Sequence, residues 1–277
     1  MARASELAQG RVELSAPHPH IELSRLQGML AGWRQDGIRL TMHNYFPPPE
    51  EDFVLNTAAS CARTREQCEQ LLDGVLALAG ASQSPVYGIH AGYLSDVQAP
   101  AASQMFEFGG DRVGYEEAET RAVAFMSERA LQFERQRIRL LVENLFPFPD
   151  DDHSLCCAPD QIARFLSQVP ESVGLLLDLG HLNIAATLMG FDRDDGLDQL
   201  LARFGHRLFQ VHLSHNDGTR DEHLAVMDGN WQLDALTRVQ ATDLGEGQER
   251  LFCLEARNSS VADIEASLRA VNGVLGA

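Results

Sequence analysis

Fifteen residues, Phe209-Gln-Val-His-Leu-Ser-His-Asn-Asp-Gly-Thr-Arg-Asp-Glu-His223, open as an apolar run and close as a cluster of metal-binding side chains. The cluster holds His212, His215, Asp217, Asp221 and His223. The same pattern recurs along the chain: His43, His90, Glu143, Asp178, His212 and Glu255 each close an apolar run. His181 follows Asp178 by three residues. Imidazole and carboxylate donors suit zinc or manganese, and also magnesium or cobalt, rather than metals that prefer thiolate. Taken singly, each of these residues is more often structural, a hydrogen-bonded core or loop histidine or a salt-bridge partner. Six apolar runs ending in such donors are harder to explain that way, because burying unpaired charge is expensive. A bound metal would offset the charge of the carboxylates of Glu143, Asp178, Asp221 and Glu255.

Other residues allow two readings each. His215, Asn216 and Asp217 can orient ligands from behind, or Asp217-Gly218 can simply make an Asx turn. Arg220 and Arg257 can hold a phosphate or carboxylate by bidentate contact, or pair with surface acids. Asn144 can face a substrate or cap a turn. Trp33 and Trp231 read as packing rather than as sugar platforms.

The elements that must position these groups alternate. Strands are expected near residues 12, 38, 86, 138, 174, 208 and 251. Between them, apolar residues at helical spacing predict helices over Leu23–Gln35, Thr64–Ala79, Tyr115–Arg135, Pro159–Gln168, Gly196–Phe204 and Leu233–Gln240, and a closing helix over Val261–Val271. The run Gly174–Asp178 is continuously apolar, as for a strand buried on both faces of a parallel sheet. Residues 91–114 form a long connection with apolar anchors at Met105, Phe106 and Phe108, and read as a lid. The alternation predicts an α/β fold: a TIM-type (β/α)8-like barrel with seven traceable strands, lacking the first, in a single domain over 1–277. The missing strand would precede Val12, where too little chain is left for a strand and its crossover.

The net charge of −18 disfavours a nucleic-acid partner, since that binding depends on basic contacts. No apolar run reaches membrane-spanning length. Five cysteines, an odd number in a long chain, suggest a reducing, cytoplasmic setting. A homo-oligomer is compatible with all of this.

The strings VENLFP (Val142–Pro147), LLDLGHLN (Leu176–Asn183), QVHLSHNDGTRDEHL (Gln210–Leu224) and CLEAR (Cys253–Arg257) resemble the xylose-isomerase-like barrel superfamily. The resemblance covers nearly the whole chain. That superfamily contains sugar and sugar-phosphate isomerases and epimerases, and endonuclease IV. By resemblance, Glu143, Asp178, His212 and Glu255 correspond to the four metal ligands of the keto-sugar epimerases, and His181 to their substrate-contacting histidine. The same positions with His43, His90, Asp221 and His223 correspond to the nine zinc ligands of endonuclease IV. Two departures stand out: Glu222 lies between Asp221 and His223 where the nuclease pattern favours a base, and Asp228-Gly229-Asn230 replaces its Gly-x-Gly.

The resemblance implies a metal-dependent isomerase or epimerase acting on a sugar or sugar phosphate. Glu143 and Glu255 would then move the proton, with His181, Arg220, Arg257 and Asn144 contacting the carbohydrate. The alternatives are a multi-zinc phosphodiesterase of the endonuclease IV type and a metal- or sugar-binding barrel without turnover. The acidic stretches Pro48–Asp52 and Asp150–Asp152 count against the phosphodiesterase.

Overall fold

A computed structural model of the chain describes residues 10–15, 18–98, 107–109, 111–148, 153–245 and 247–276. The chain divides into two units, Met1–Val142 and Glu143–Ala277.

The first unit runs β1 (Arg11–Leu14), α1 (Leu23–Gln35), β2 (Arg39–His43), α2 (Ala62–Ser82), β3 (Val86–His90), β4 (Val97–Gln98), β5 (Glu107–Phe108), α3 (Tyr115–Arg135) and most of β6 (Arg139–Glu143). Strands β1 and β2 are parallel with Leu14 opposite Met42, and β2 and β3 are parallel with His43 opposite Gly88. The helical spacing seen in the sequence is the packing that forms. On α3, Ala118, Ala122, Phe125, Met126, Ala130 and Phe133 are all buried. Each large apolar side chain hidden this way contributes roughly 1.5–3 kcal/mol. Helix α1 stops where Gly37 takes φ +84°, a left-handed turn that only glycine enters at no steric cost. Helix α2 extends beyond its expected Thr64–Ala79 bounds at both ends.

The connection 91–114 is not plain loop, because β4 and β5 pair in antiparallel fashion within it. Phe108 packs on Tyr93 at 5.9 Å between ring centres. Met105 and Phe106 lie outside the described residues.

The second unit begins at Glu143 and runs α4 (Pro159–Gln168), β7 (Gly174–Asp178), α5 (Leu179–Met189), α6 (Arg193–Phe204), β8 (Leu208–Leu213), α7 (Trp231–Gln240), β9 (Leu251–Leu254) and α8 (Val261–Leu275). All of β7 and β8 is buried, as the unbroken apolar run of β7 predicts, whereas β9 is half-buried throughout. β7, β8 and β9 are parallel, with Asp178 opposite His212 and His212 opposite Cys253. The amide of Glu255, one residue past β9, still donates to Leu213 at 2.9 Å.

Two arginines lock the opposite ends of these strands. Buried Arg207 donates to the carbonyls of Leu166 (2.7 Å), Pro170 (2.9 Å) and Val173 (3.0 Å). Arg250 donates to those of Leu208 (2.8 Å), Gly205 (3.0 Å), Val239 (2.7 Å) and Thr242 (3.1 Å). The strand starts are therefore held by main-chain contacts, and the strand tips are left for chemistry.

Helix α5 is absent from the sequence expectation. Its residues Leu179–Ala186 are buried on every side, so no amphipathic period marks it. Among the described residues, seven strands, β1–β3 and β6–β9, carry the strand–helix repeat of a TIM-type α/β fold, as expected. Residues 1–9, on which the expectation about the N-terminal end falls, lie outside the described residues.

Candidate metal centre

The tips of β6, β7 and β8 and the residue after β9 deliver Glu143, Asp178, His212 and Glu255 to one place. His212 Nδ1 lies 3.1 Å from Glu255 Oε2, 3.8 Å from Glu143 Oε1 and 3.9 Å from Asp178 Oδ2. Asp178, His212 and Glu255 each offer an atom within 4.8 Å of the others, and so do Glu143, Asp178 and His181. Parallel pairing makes Asp178 and His212 direct neighbours. Three acids and an imidazole so close are an arrangement that two-residue periodicity along each strand can supply only when the strands end level.

Asp178 divides its two oxygens between structure and chemistry. Oδ1 accepts from the His181 amide at 2.8 Å and so caps α5, a placement that aspartate favours at a helix start. Oδ2 is buried and has no hydrogen-bond partner. His181 is turned by Asn144, whose main-chain carbonyl lies 2.8 Å from Nδ1. A carbonyl can only accept, so Nδ1 carries a proton and Nε2 is turned toward the carboxylates. That nitrogen lies 3.7 Å from Asp221 Oδ2 and 4.0 Å from Asp178 Oδ2. Asp221 in turn meets His223 Nε2 at 2.6 Å, and His223 Nδ1 lies 3.9 Å from Glu255 Oε1. The ring of Phe146 stands 4.9 Å from that of His181, an apolar wall at the cluster's side.

The electrostatics follow from this crowding. Burial pushes the Asp178 carboxyl up, and the nearby carboxylates of Glu143 and Glu255 add to it against the pull of His181. Burial alone would lower His181, but Asp178, Asp221 and Glu143 outweigh it and raise the imidazole well above its ordinary value. Burial would raise Asp221, but hydrogen bonds from His181 and His223 hold it below the usual carboxylate range.

This donor set fits a divalent cation. It is built of carboxylate oxygens and imidazole nitrogens, the preference of zinc, manganese, cobalt or magnesium. Buried carboxylate atoms with no hydrogen-bond donor, Asp178 Oδ2 and Asp221 Oδ1, point to a missing positive charge.

In the first unit, His43 and His90 meet at neighbouring strand tips, with ring centres 6.2 Å apart. Ser15 Oγ lies 3.3 Å from His43 Nδ1, and the Tyr93 hydroxyl lies 3.3 Å from His90 Nδ1. A device then appears in both units. Asn44 follows His43, and its Oδ1 accepts from the His90 amide at 3.1 Å. Asn144 follows Glu143, and its Oδ1 accepts from the Asp178 amide at 2.7 Å while its Nδ2 donates to the Asp178 carbonyl at 3.1 Å. In each case the residue after one strand-tip donor clamps the backbone of the next. The Asn144 side chain is thereby committed to the main chain of Asp178.

The remaining sequence candidates divide. Arg257 lies beside the cluster, in contact with His223 and 3.9 Å from Glu255 Oε1. Arg220 is 76% exposed and pairs with Glu222 at 3.6 Å. Asp217 Oδ1 accepts from the Thr219 amide at 2.8 Å, the Asx-turn reading. His215 pairs its main chain with Leu224. Asn216 donates to the Gly180 carbonyl at 3.0 Å and so fastens the β8 loop to the start of α5. Trp231 stacks under Arg193, 4.2 Å from ring centre to guanidinium, which is packing rather than a sugar platform.

Sequence reasoning passed over Gly180. A Cβ there would stand 2.3 Å from Ser214 Oγ, 3.0 Å from Asn216 Nδ2 and 3.1 Å from Asp178 Oδ1. The Gly-His pair in LLDLGHLN was the available signal. Gly180→Ala is expected to destabilise the protein by about 2 kcal/mol, as overpacking does. It should also weaken metal uptake by displacing Asp178. Denaturant midpoints and metal titration check both effects.

Comparisons with known proteins agree with this architecture. No curated protein matches the sequence. Among solved structures, a D-tagatose 3-epimerase-like protein aligns with a TM-score of 0.70 at 18% identity, covering 96% of this chain and 87% of its own. D-psicose 3-epimerase, solved in the presence of D-fructose, aligns with a TM-score of 0.70 at 15% identity, covering 99% and 92%. The IolI protein with a bound zinc atom aligns with a TM-score of 0.67 at 14% identity, covering 100% and 93%. A family model described as xylose isomerase-like TIM barrel matches residues 4–267, and with a match of that extent the chain belongs to this family.

Proposed function

We propose that the protein is a metal-dependent isomerase or epimerase of a sugar or sugar phosphate. The observation that carries this reading is the approach of Glu143 and Glu255, from different strands, to within 3.8 and 3.1 Å of one imidazole nitrogen, beside Asp178. Solved epimerases with the same fold support it. Glu143, Asp178, His212 and Glu255 would hold the cation, with zinc or manganese the best match to their donors. Bound there, a divalent ion supplies Lewis-acid stabilisation of negative charge on adjacent substrate oxygens.

The chain's own residues do the rest. One of the two glutamates removes the proton next to the substrate carbonyl, and the other returns it to the opposite face or the neighbouring carbon. Each carboxylate has two oxygens, so holding a cation leaves one for the proton. His181, held through Nδ1 by the Asn144 carbonyl, turns Nε2 toward a substrate hydroxyl. Arg257, half exposed beside Glu255, would meet a phosphate or hydroxyl of the substrate. Phe146 limits water at the His181 side.

The test is solvent exchange. Metal-loaded protein in D2O with D-fructose, D-tagatose, D-psicose and L-ribulose is expected to place deuterium next to the carbonyl of at least one and to yield its epimer or isomer. If none of these, nor their phosphates, exchanges, the reading is wrong. A second reading, a phosphodiesterase, draws on the Asp221–His223 pair at 2.6 Å, which enlarges the donor set beyond one ion. The net charge of −18 opposes binding to a phosphate backbone. One metal per chain and no nicking of an abasic duplex are expected; three metals with efficient nicking would reverse the order.

A further inference from the structure

Gln210 is a buried carboxamide in the middle of β8, a strand that is apolar apart from it and His212. Placing such a group in a core is costly unless it is hydrogen-bonded. It stands two residues before His212 on β8, so the two side chains share a face. Gln210 Nε2 lies 3.2 Å from His212 Nε2. The other imidazole nitrogen, Nδ1, is the one that faces Glu255, Glu143 and Asp178.

This arrangement restricts where the imidazole proton can sit. With the amide NH2 of Gln210 directed at Nε2, that nitrogen must accept, so a neutral His212 carries its proton on Nδ1. That nitrogen lies 3.1 Å from Glu255 Oε2. A cation held by Nδ1 needs the opposite state, with the lone pair on Nδ1 and the proton on Nε2. Nε2–H then requires an acceptor, and the same carboxamide supplies one through Oε1 after a half turn about its last bond.

We propose that Gln210 is a positioning residue that selects the tautomer of His212, donating to Nε2 without metal and accepting from it when metal is bound. On loading, Nδ1 gives up its proton to solvent, Nε2 takes one from solvent, and the carboxamide rotates, so the proton count of the imidazole is unchanged. A glutamine suits this switch because it offers a donor and an acceptor from one planar group, whereas a carboxylate offers only acceptors. The inference rests on the proposed metal site and would not survive without it.

Two measurements test it, with zinc(II) as the probe. In ¹⁵N-labelled protein, long-range ¹H–¹⁵N spectra of the imidazoles are expected to show His212 protonated at Nδ1 before zinc and at Nε2 after it. Chelator competition is expected to show Gln210→Met binding zinc about 10–100-fold more weakly than the unaltered protein, the usual cost of losing such a partner. Gln210→Glu, which still accepts from Nε2–H, is expected to stay within a few-fold. Zinc bound with the His212 proton on Nδ1, or a folded Gln210→Met with unchanged affinity, overturns the inference while leaving the metal site intact. Failure of the unaltered protein to take up any of the divalent ions named overturns the proposed function and this inference with it. If Gln210→Met does not fold, the spectra of the unaltered protein decide the question.

Discussion

Glu255→Gln is expected to lower kcat on the identified substrate by about 1000-fold or more, with far-ultraviolet circular dichroism unchanged. The substitution is isosteric, and the backbone hydrogen bond from the Glu255 amide to Leu213 does not involve the side chain. What is lost is a negative charge 3.1 Å from His212 and an acceptor for the substrate proton. General acid–base catalysis contributes about 100- to 10,000-fold by itself, and loss of a ligand adds to it. Metal content measured on the same sample separates the two losses. Full metal occupancy with lost turnover identifies Glu255 as a proton carrier, and parallel loss of both identifies it first as a ligand. Unchanged kcat would remove Glu255 from the mechanism.

Saturating the protein with its divalent ion is expected to raise the thermal midpoint by roughly 10 °C over the chelated protein. A ligand present at about 1000 times its Kd adds about 4 kcal/mol, and in a chain of this size each 1 kcal/mol moves the midpoint by about 2–4 °C. The physical source is the burial of Asp178, which pushes its carboxyl pKa up, with Glu143 and Glu255 reinforcing the effect. A carboxyl whose folded pKa is raised favours folding below its unfolded pKa and loses that contribution as pH climbs through the folded value. At neutral pH the metal-free fold therefore carries an unrelieved cost, which a cation removes. Scanning calorimetry with and without chelator measures it. A midpoint insensitive to every divalent ion of the expected set would exclude a buried metal centre at Asp178.

Which residues could bind a metal was legible from the chain alone, because it follows from residue type and from position after an apolar run. His43, His90, Glu143, Asp178, His212 and Glu255 all stand at or just beyond the tip of a strand. The strands themselves were legible too, since β-branched and leucine-rich runs bounded by turns have few other solutions. Periodicity identified the apolar residues of the buried face of α3, because amphipathic helices write their packing into a 3.6-residue repeat; buried Glu119 and Arg129 lay outside it.

Tertiary structure decided what periodicity could not encode. Helix α5 is buried on all sides over residues 179–186, so that stretch carries no stripe, and only the Asp178 cap and the stop at Gly190 mark the helix ends. The tasks of Asn144, Arg220 and Asp217 depended on which partner lay within reach. Asn144 turned to the Asp178 backbone, Arg220 to the surface and Asp217 to its own turn. Gly180 and Gln210 were silent for the same reason: a glycine is required only where another atom fills the space of its Cβ, and a buried amide matters only through the ring it faces. Residue type sets what a side chain can do. Which of those things it does is set by distances across strands, and these exist only once the chain has folded.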